Sequence, residues 1–224
     1  MTGAAPVDIA IFIRNLAGGG IERVMLDLAE AFTARGLRVE FVVCRNTGAR
    51  TSEVPAGVPL VELDRSSLLR TRLLASLVDP AGLVATARLV LLAAKPAPTL
   101  ASLPALARYL RDRGPRALLA ATPFENLEAI RTRRLARVKL RLVLSEHNNL
   151  ARNLLDSKEW ARRHLVALMR RGYPHADAIV AVSDGVAEQI AAATGLPRAR
   201  ITTIHNPVVD RRLVEQLRQT PDDP

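Results

Sequence analysis

Short runs of Val, Ile, Leu and Ala alternate along this chain with longer stretches in which apolar side chains recur every three or four positions. The short runs lie at residues 7–13, 37–43, 58–63, 117–121, 141–145, 177–182 and 201–204 and predict strands. The longer stretches predict helices at 21–35, 67–94 with a break at Pro80, 99–113, 124–136, 153–172, 184–194 and 210–219. In the first of these, Val24, Met25, Leu28, Ala31 and Phe32 keep helical spacing until Gly36 stops the helix. Strands and helices in such regular alternation predict an α/β domain, a doubly wound parallel sheet of about seven strands with helices on both faces. Right-handed crossovers then gather the ligand loops at the carboxyl ends of the strands.

The first strand runs into Asn15-Leu16-Ala17-Gly18-Gly19-Gly20, and a helix opens at Ile21-Glu22-Arg23. This order makes a seat for a phosphate or another oxyanion. Glycine lets the backbone approach a ligand, and the first helical N–H groups point at it with the positive end of the helix dipole. The same glycines serve equally well as a tight turn, and residue chemistry leaves both readings standing. A dinucleotide fingerprint fails twice. Arg23 stands where its third glycine belongs, and the second strand ends in Cys44-Arg45 with Glu40 inside it rather than an acid at its tip. No Gly-Lys-Ser/Thr follows the glycines, so a P-loop is absent as well.

A chain of 224 residues holds one α/β domain with a substantial core. Only 3% of it is aromatic, so aliphatic side chains must do the packing. The single cysteine, Cys44, excludes an internal disulfide and points to a reducing compartment. No basic segment precedes the short apolar run at 7–13, which contains Asp8, so no secretory signal is expected. The formal charge of +10 comes mostly from arginine. Its densest cluster spans residues 131–141, and Arg162, Arg163, Arg170 and Arg171 form a second set on a helical stretch. Such helices suit an anionic membrane surface or simply a solvated face. Nucleic acid is not expected, because aromatic stacking platforms, zinc-ligand spacing and a recognition helix are all lacking. Residues 73–94 are strongly apolar, but Asp79, Pro80 and Arg88 interrupt them; two helices, buried or lying on a membrane surface, fit better than a spanning one.

Four blocks carry a family likeness: Gly18-Gly19-Gly20-Ile21-Glu22-Arg23-Val24 with Leu28-Ala29 and the Arg35–Val39 segment; Val143-Leu144-Ser145-Glu146-His147-Asn148-Asn149; the run from Ala176 to Val186; and Ile201-Thr202-Thr203-Ile204-His205-Asn206-Pro207-Val208. In order and spacing they resemble the N-terminal domain of family-four retaining glycosyltransferases, which have the GT-B fold. The resemblance implies a Rossmann-like sheet forming one half of a GT-B architecture, with residues 1–208 as the acceptor-side domain. Residues 209–224 would be a hinge helix and polar tail leading to a donor domain that the sequence does not contain. Asn206 and Pro207 mark the hinge. The family's Glu-x7-Glu motif belongs to that second domain; Glu22 and Glu30 share its spacing only by coincidence.

The resemblance assigns the amides of Gly18, Gly19 and Gly20 to the donor phosphate or the acceptor, with Arg14 and Asn15 beside them. His147, at a strand end, would sit near the sugar and the acceptor hydroxyl, where a neutral imidazole can accept a hydrogen bond; a loop histidine bonding the backbone is the plainer alternative. Glu146 would orient that imidazole, bind a hydroxyl, or be an ordinary surface acid. Asn126 would line the same crevice or cap a helix. His164, His175 and His205 show no metal-ligand spacing, and no metal or other cofactor is expected. The expected activity is transfer of a sugar from a nucleotide-sugar donor to a glycan or glycolipid acceptor in bacterial cell-surface assembly, in the cytoplasm or peripherally on the inner face of the membrane. This chain alone is expected to be inactive. The competing expectation is a non-catalytic membrane-surface or acceptor-binding module that works with a separate donor-binding chain.

Overall fold

A computed structural model of the chain describes residues 6–67, 73–74, 98–147 and 160–206. Seven strands, β1 (Ile9–Ile13), β2 (Val39–Val43), β3 (Leu60–Glu62), β4 (Ala117–Ala121), β5 (Arg141–Glu146), β6 (Ala178–Ala181) and β7 (Ile201–Thr203), form one sheet. Their spatial order is β3-β2-β1-β4-β5-β6-β7, and every neighbouring pair is parallel. Among the described residues the longer helices are α1 (Gly20–Ala34), α2 (Leu103–Arg113), α3 (Pro123–Ala136), α4 (Trp160–Gly172) and α5 (Asp184–Thr194), with a short turn at Pro98–Ala101 before α2.

The two faces follow from crossover handedness. From β1 to β2 the chain steps one way along the sheet, and from β4 through β7 it steps the other way. Right-handed connections therefore put α1 on one face and α3, α4 and α5 on the opposite one. Alternate side chains of each strand feed two separate cores. Ile11, Ile13, Phe41 and Val43 pack with Met25, Leu26 and Ala29 of α1. Ala10, Phe12, Val42, Leu118, Leu142 and Leu144 pack with α2 to α5. A fully buried side chain of this size stabilises the fold by about 1.5–3 kcal/mol, so Phe12 and Phe41 are major contributors.

A charged side chain of β2 points into the second core. Glu40, in the middle of β2, is buried and accepts a hydrogen bond from Tyr109 Oη at 2.7 Å. Arg113 at the end of α2 forms an ion pair with the same carboxylate. The acid thus ties α2 to the sheet.

The helix expected at 99–113 is divided. Pro104, in the first turn of α2, lacks the N–H a continuing helix would need, so the chain restarts at Leu103. The helices expected across 67–94 and at 210–219, the first part of 153–172, residues Asn148, Asn149 and Pro207, and the boundary at 208 lie outside the described residues. Among those described, no helix is long and apolar enough to cross a membrane.

Candidate functional site

Because all seven strands run the same way, the loops after β1, β4, β5, β6 and β7 open on one edge of the sheet. The glycine loop follows β1 and His147 follows β5, with β4 between them. Two strand spacings separate them at the sheet, roughly 10 Å. Ser145 and His147 project from β5 to the α1 side. There they line a groove of about 280 Å³ with Val24, Leu28, His205 and Asn206.

Within the loop, Gly18 has φ +114°, a conformation that disfavours any side chain. Gly19 is the N-cap of α1 and brings no capping side chain. Its missing Cβ leaves room for the Glu22 carboxylate, since a methyl at Gly19 would lie 2.5 Å from Glu22 Oε2. The N-terminal charge of α1 is therefore met by its own Glu22. Gly20 has nothing within 4 Å of a Cβ position. Asn15 is half-buried beside the loop. Arg14 is exposed; its carbonyl accepts from the amides of Cys44 and Arg45 at 3.1 Å each. Arg23, at the missing third-glycine position, is turned to Asp27 and Glu53 instead.

Sequence reasoning missed the support beneath this loop. Leu16 N donates to Thr47 O at 3.2 Å, and Arg50 N donates to Leu16 O at 3.1 Å. Gly48, at φ +138°, lies so close that a methyl there would come 1.9 Å from Leu16 O. The only sequence signal was a lone glycine just after the second strand.

A second missed feature lies at the junction of β4 and α3. Thr122 has φ +84° and ψ 151°, a strained backbone for a β-branched residue, on the edge shared by the candidate groups. Its hydroxyl donates to Glu125. Glu125 is buried in the first turn of α3, and burial raises its carboxyl to about 7; the Arg14 guanidinium pulls the other way. A buried acid of this kind near a strand end is a candidate proton-transfer group.

The site around β5 differs from expectation in one respect. Glu146 is not a surface acid and makes no bond to His147: it is fully buried and points into the helix layer opposite the groove. Asn126 Nδ2 donates to Glu146 Oε1 at 2.8 Å and to the Ser145 carbonyl at 3.1 Å, and Tyr173 Oη also donates to Glu146 Oε1. Adjacent strand residues face opposite sides of the sheet, so neighbours 146 and 147 cannot meet. Asn126 likewise neither lines the groove nor caps α3, whose N-cap is Thr122. Burial raises the Glu146 carboxyl to about 7, against the lowering effect of Tyr173 and Asn126.

The partner of His147 is Ser145, whose Oγ lies 2.9 Å from Nε2. Burial lowers the imidazole to about 4, so it is neutral at pH 7. Its Nδ1 has no hydrogen-bond partner among the described residues. One ring nitrogen is thus held by the serine, while Nδ1 is buried without a partner. Nearby, Ser183 caps α5, accepting from Val186 N at 3.2 Å.

A parallel sheet wound on both faces, with its glycine loop and histidine on the carboxyl edge, is the architecture of one Rossmann-like half of a GT-B glycosyltransferase. It is similar to the lipopolysaccharide outer core galactosyltransferase WaaB, with 17% identity and a TM-score of 0.61 over 90% of this chain and 46% of that one. It is similar to Anabaena Alr3699/HepE, solved in complex with UDP-glucose, with 16% identity and a TM-score of 0.60 over 95% of this chain and 49% of that one. A third is sucrose-phosphate synthase from Thermosynechococcus elongatus, with 12% identity and a TM-score of 0.60 over 89% of this chain and 48% of that one. At these identities the likeness is one of fold, and the chain spans about half the length of each. No curated protein matches its sequence. The chain belongs to glycosyltransferase family 4, whose model matches residues 18–212.

Proposed function

We propose that this chain is the acceptor-side half of a retaining glycosyltransferase that moves a sugar from a nucleotide-sugar donor to a glycan or glycolipid acceptor. The observation that carries the reading is the placement of the glycine loop and the neutral His147 on one edge of a parallel sheet, in a member of family 4. Amides at the start of α1 suit the negative charge that develops on the leaving phosphate. The imidazole suits the acceptor hydroxyl. A relative in fold was solved with UDP-glucose, in keeping with a nucleotide-sugar donor here. The reaction uses no metal, and its setting is cell-surface glycan assembly on the cytoplasmic face of a bacterial membrane. The remaining donor contacts come from a second lobe, so the 224 residues alone turn over little or nothing.

The test is a transfer assay by mass spectrometry. A panel of nucleotide sugars and lipid-linked or oligosaccharide acceptors is offered to the protein at its full natural length, and to its His147→Ala variant. Metal-independent transfer that His147→Ala abolishes supports the proposal. Absence of transfer with every donor, or robust turnover by the 224-residue chain alone, contradicts it.

A further inference from the structure

Away from this edge, α3 and α4 enclose a second opening. Gly172 ends α4, and a methyl there would lie 3.1 Å from Leu127 Cδ2 and 3.2 Å from Ile130 Cδ1. Glycine therefore lets α4 finish tight against α3. The close approach brings Arg131 and Arg134 of α3, Arg171 of α4, and His175 just beyond it around a crevice of about 90 Å³ with Leu127 and Ile130 in its wall.

The arginines around this crevice differ in how far they are engaged, and Arg171 has an interaction of its own. Arg131 is paired with Glu128 at 2.6 Å, and Arg133 is paired with Asp177. Arg134 is exposed and makes no hydrogen bond or ion pair among the described residues. The His175 imidazole is held below its ordinary range by burial and by the positive charges of Arg134 and Arg133. Arginines in a last helical turn also answer the helix dipole. The convergence of guanidinium groups from two helices and an imidazole on a single phosphate-sized opening goes beyond that.

We infer that the crevice between α3 and α4 binds a phosphate group, with Arg134 and Arg171 supplying paired guanidinium donors and His175 a third donor. Guanidinium forks match phosphate oxygens two at a time, which makes arginine rather than lysine the fitting residue here. The aliphatic wall suits a phosphate carried on an apolar body. Both a soluble phosphate compound and an anionic lipid headgroup present this chemistry. The site is independent of the proposed sugar transfer.

The test reads the His175 ring protons by NMR, assigned with His175→Gln among the four histidines of the chain. One arm titrates inorganic phosphate at constant ionic strength, and the other adds vesicles of phosphatidylcholine with or without phosphatidylglycerol. The His175 signals are expected to shift saturably in at least one arm, and Arg134→Glu and Arg171→Glu to weaken that response roughly tenfold or more. Arg35→Glu, at the exposed end of α1, should leave it unchanged. A response to phosphate supports a soluble ligand, and a response confined to phosphatidylglycerol vesicles supports a lipid headgroup. No shift in either arm, or equal weakening by Arg35→Glu, overturns the inference.

Discussion

Ser145 Oγ and His147 Nε2 lie 2.9 Å apart on the groove side of β5, while Glu146 between them points through to the opposite layer. The hydroxyl fixes the ring, and Nδ1 is buried with no partner among the described residues. Ser145→Ala should therefore leave the fold intact and lower kcat about tenfold with little change in KM, whereas His147→Ala should lose on the order of a hundredfold or more. Steady-state kinetics on the protein at its full natural length checks both. Equal kinetics for Ser145→Ala and the parent would remove the serine from the site.

Glu125 and Glu146 make stability depend on pH in an unusual direction. Both carboxyls are raised from 4.5 to about 7 by burial, so the folded state holds their protons more tightly than the unfolded chain does. That contribution is full below pH 4.5 and is lost as the pH rises through about 7. Asp177 acts oppositely: its lowered carboxyl stabilises the fold above pH 3.8 and loses that effect only in stronger acid. Melting temperature should fall by roughly 5 °C or more between pH 5.5 and pH 8. Glu125→Gln combined with Glu146→Gln should flatten the profile, as followed by circular dichroism.

Glycines in and beneath the loop should not respond alike to alanine. Gly20→Ala meets open space and should change stability by less than about 1 kcal/mol. Gly18→Ala must hold a side chain at φ +114°, at a cost of about 1–3 kcal/mol. Gly48→Ala, outside the motif, should be the worst of the set, because its methyl would collide with the Leu16 carbonyl. It should also displace the loop and weaken nucleotide-sugar binding. Urea denaturation of the variants orders them.

At Thr122, two substitutions separate strain from hydrogen bonding. Alanine and glycine both remove the hydroxyl that bonds Glu125, but only glycine relaxes φ +84°. Thr122→Gly should thus be more stable than Thr122→Ala by about 1 kcal/mol. Matched melting temperatures for the two would show that the backbone there is not strained.

Much of this was legible in the sequence, and the limits have physical causes. The apolar runs at 7–13, 117–121, 141–145 and 177–182 foretold β1, β4, β5 and β6 because local periodicity alone sets strands and helices. The shared edge of Gly18–Gly20 and His147 followed from parallel topology. Pairing Glu146 with His147 ignored the two-residue period of a strand, which the sequence did contain; Ser145 was the readable partner. Gly48, Thr122 and Tyr173 were not readable in the same way. Gly48 acts through the Leu16 backbone, Thr122 through a dihedral angle, and Tyr173 through a hydrogen bond to a residue 27 positions away.

Glu40 carries a consequence for how the sheet assembles. Its neighbours in β2 are interchangeable aliphatic and aromatic groups, which would tolerate sliding along β1. A slip by one position would swing the carboxylate into the oily layer beneath α1, stranded from Tyr109 and Arg113. A single acid thereby vetoes misalignment of β2, and so keeps the two crossover directions, and the edge they create, in step.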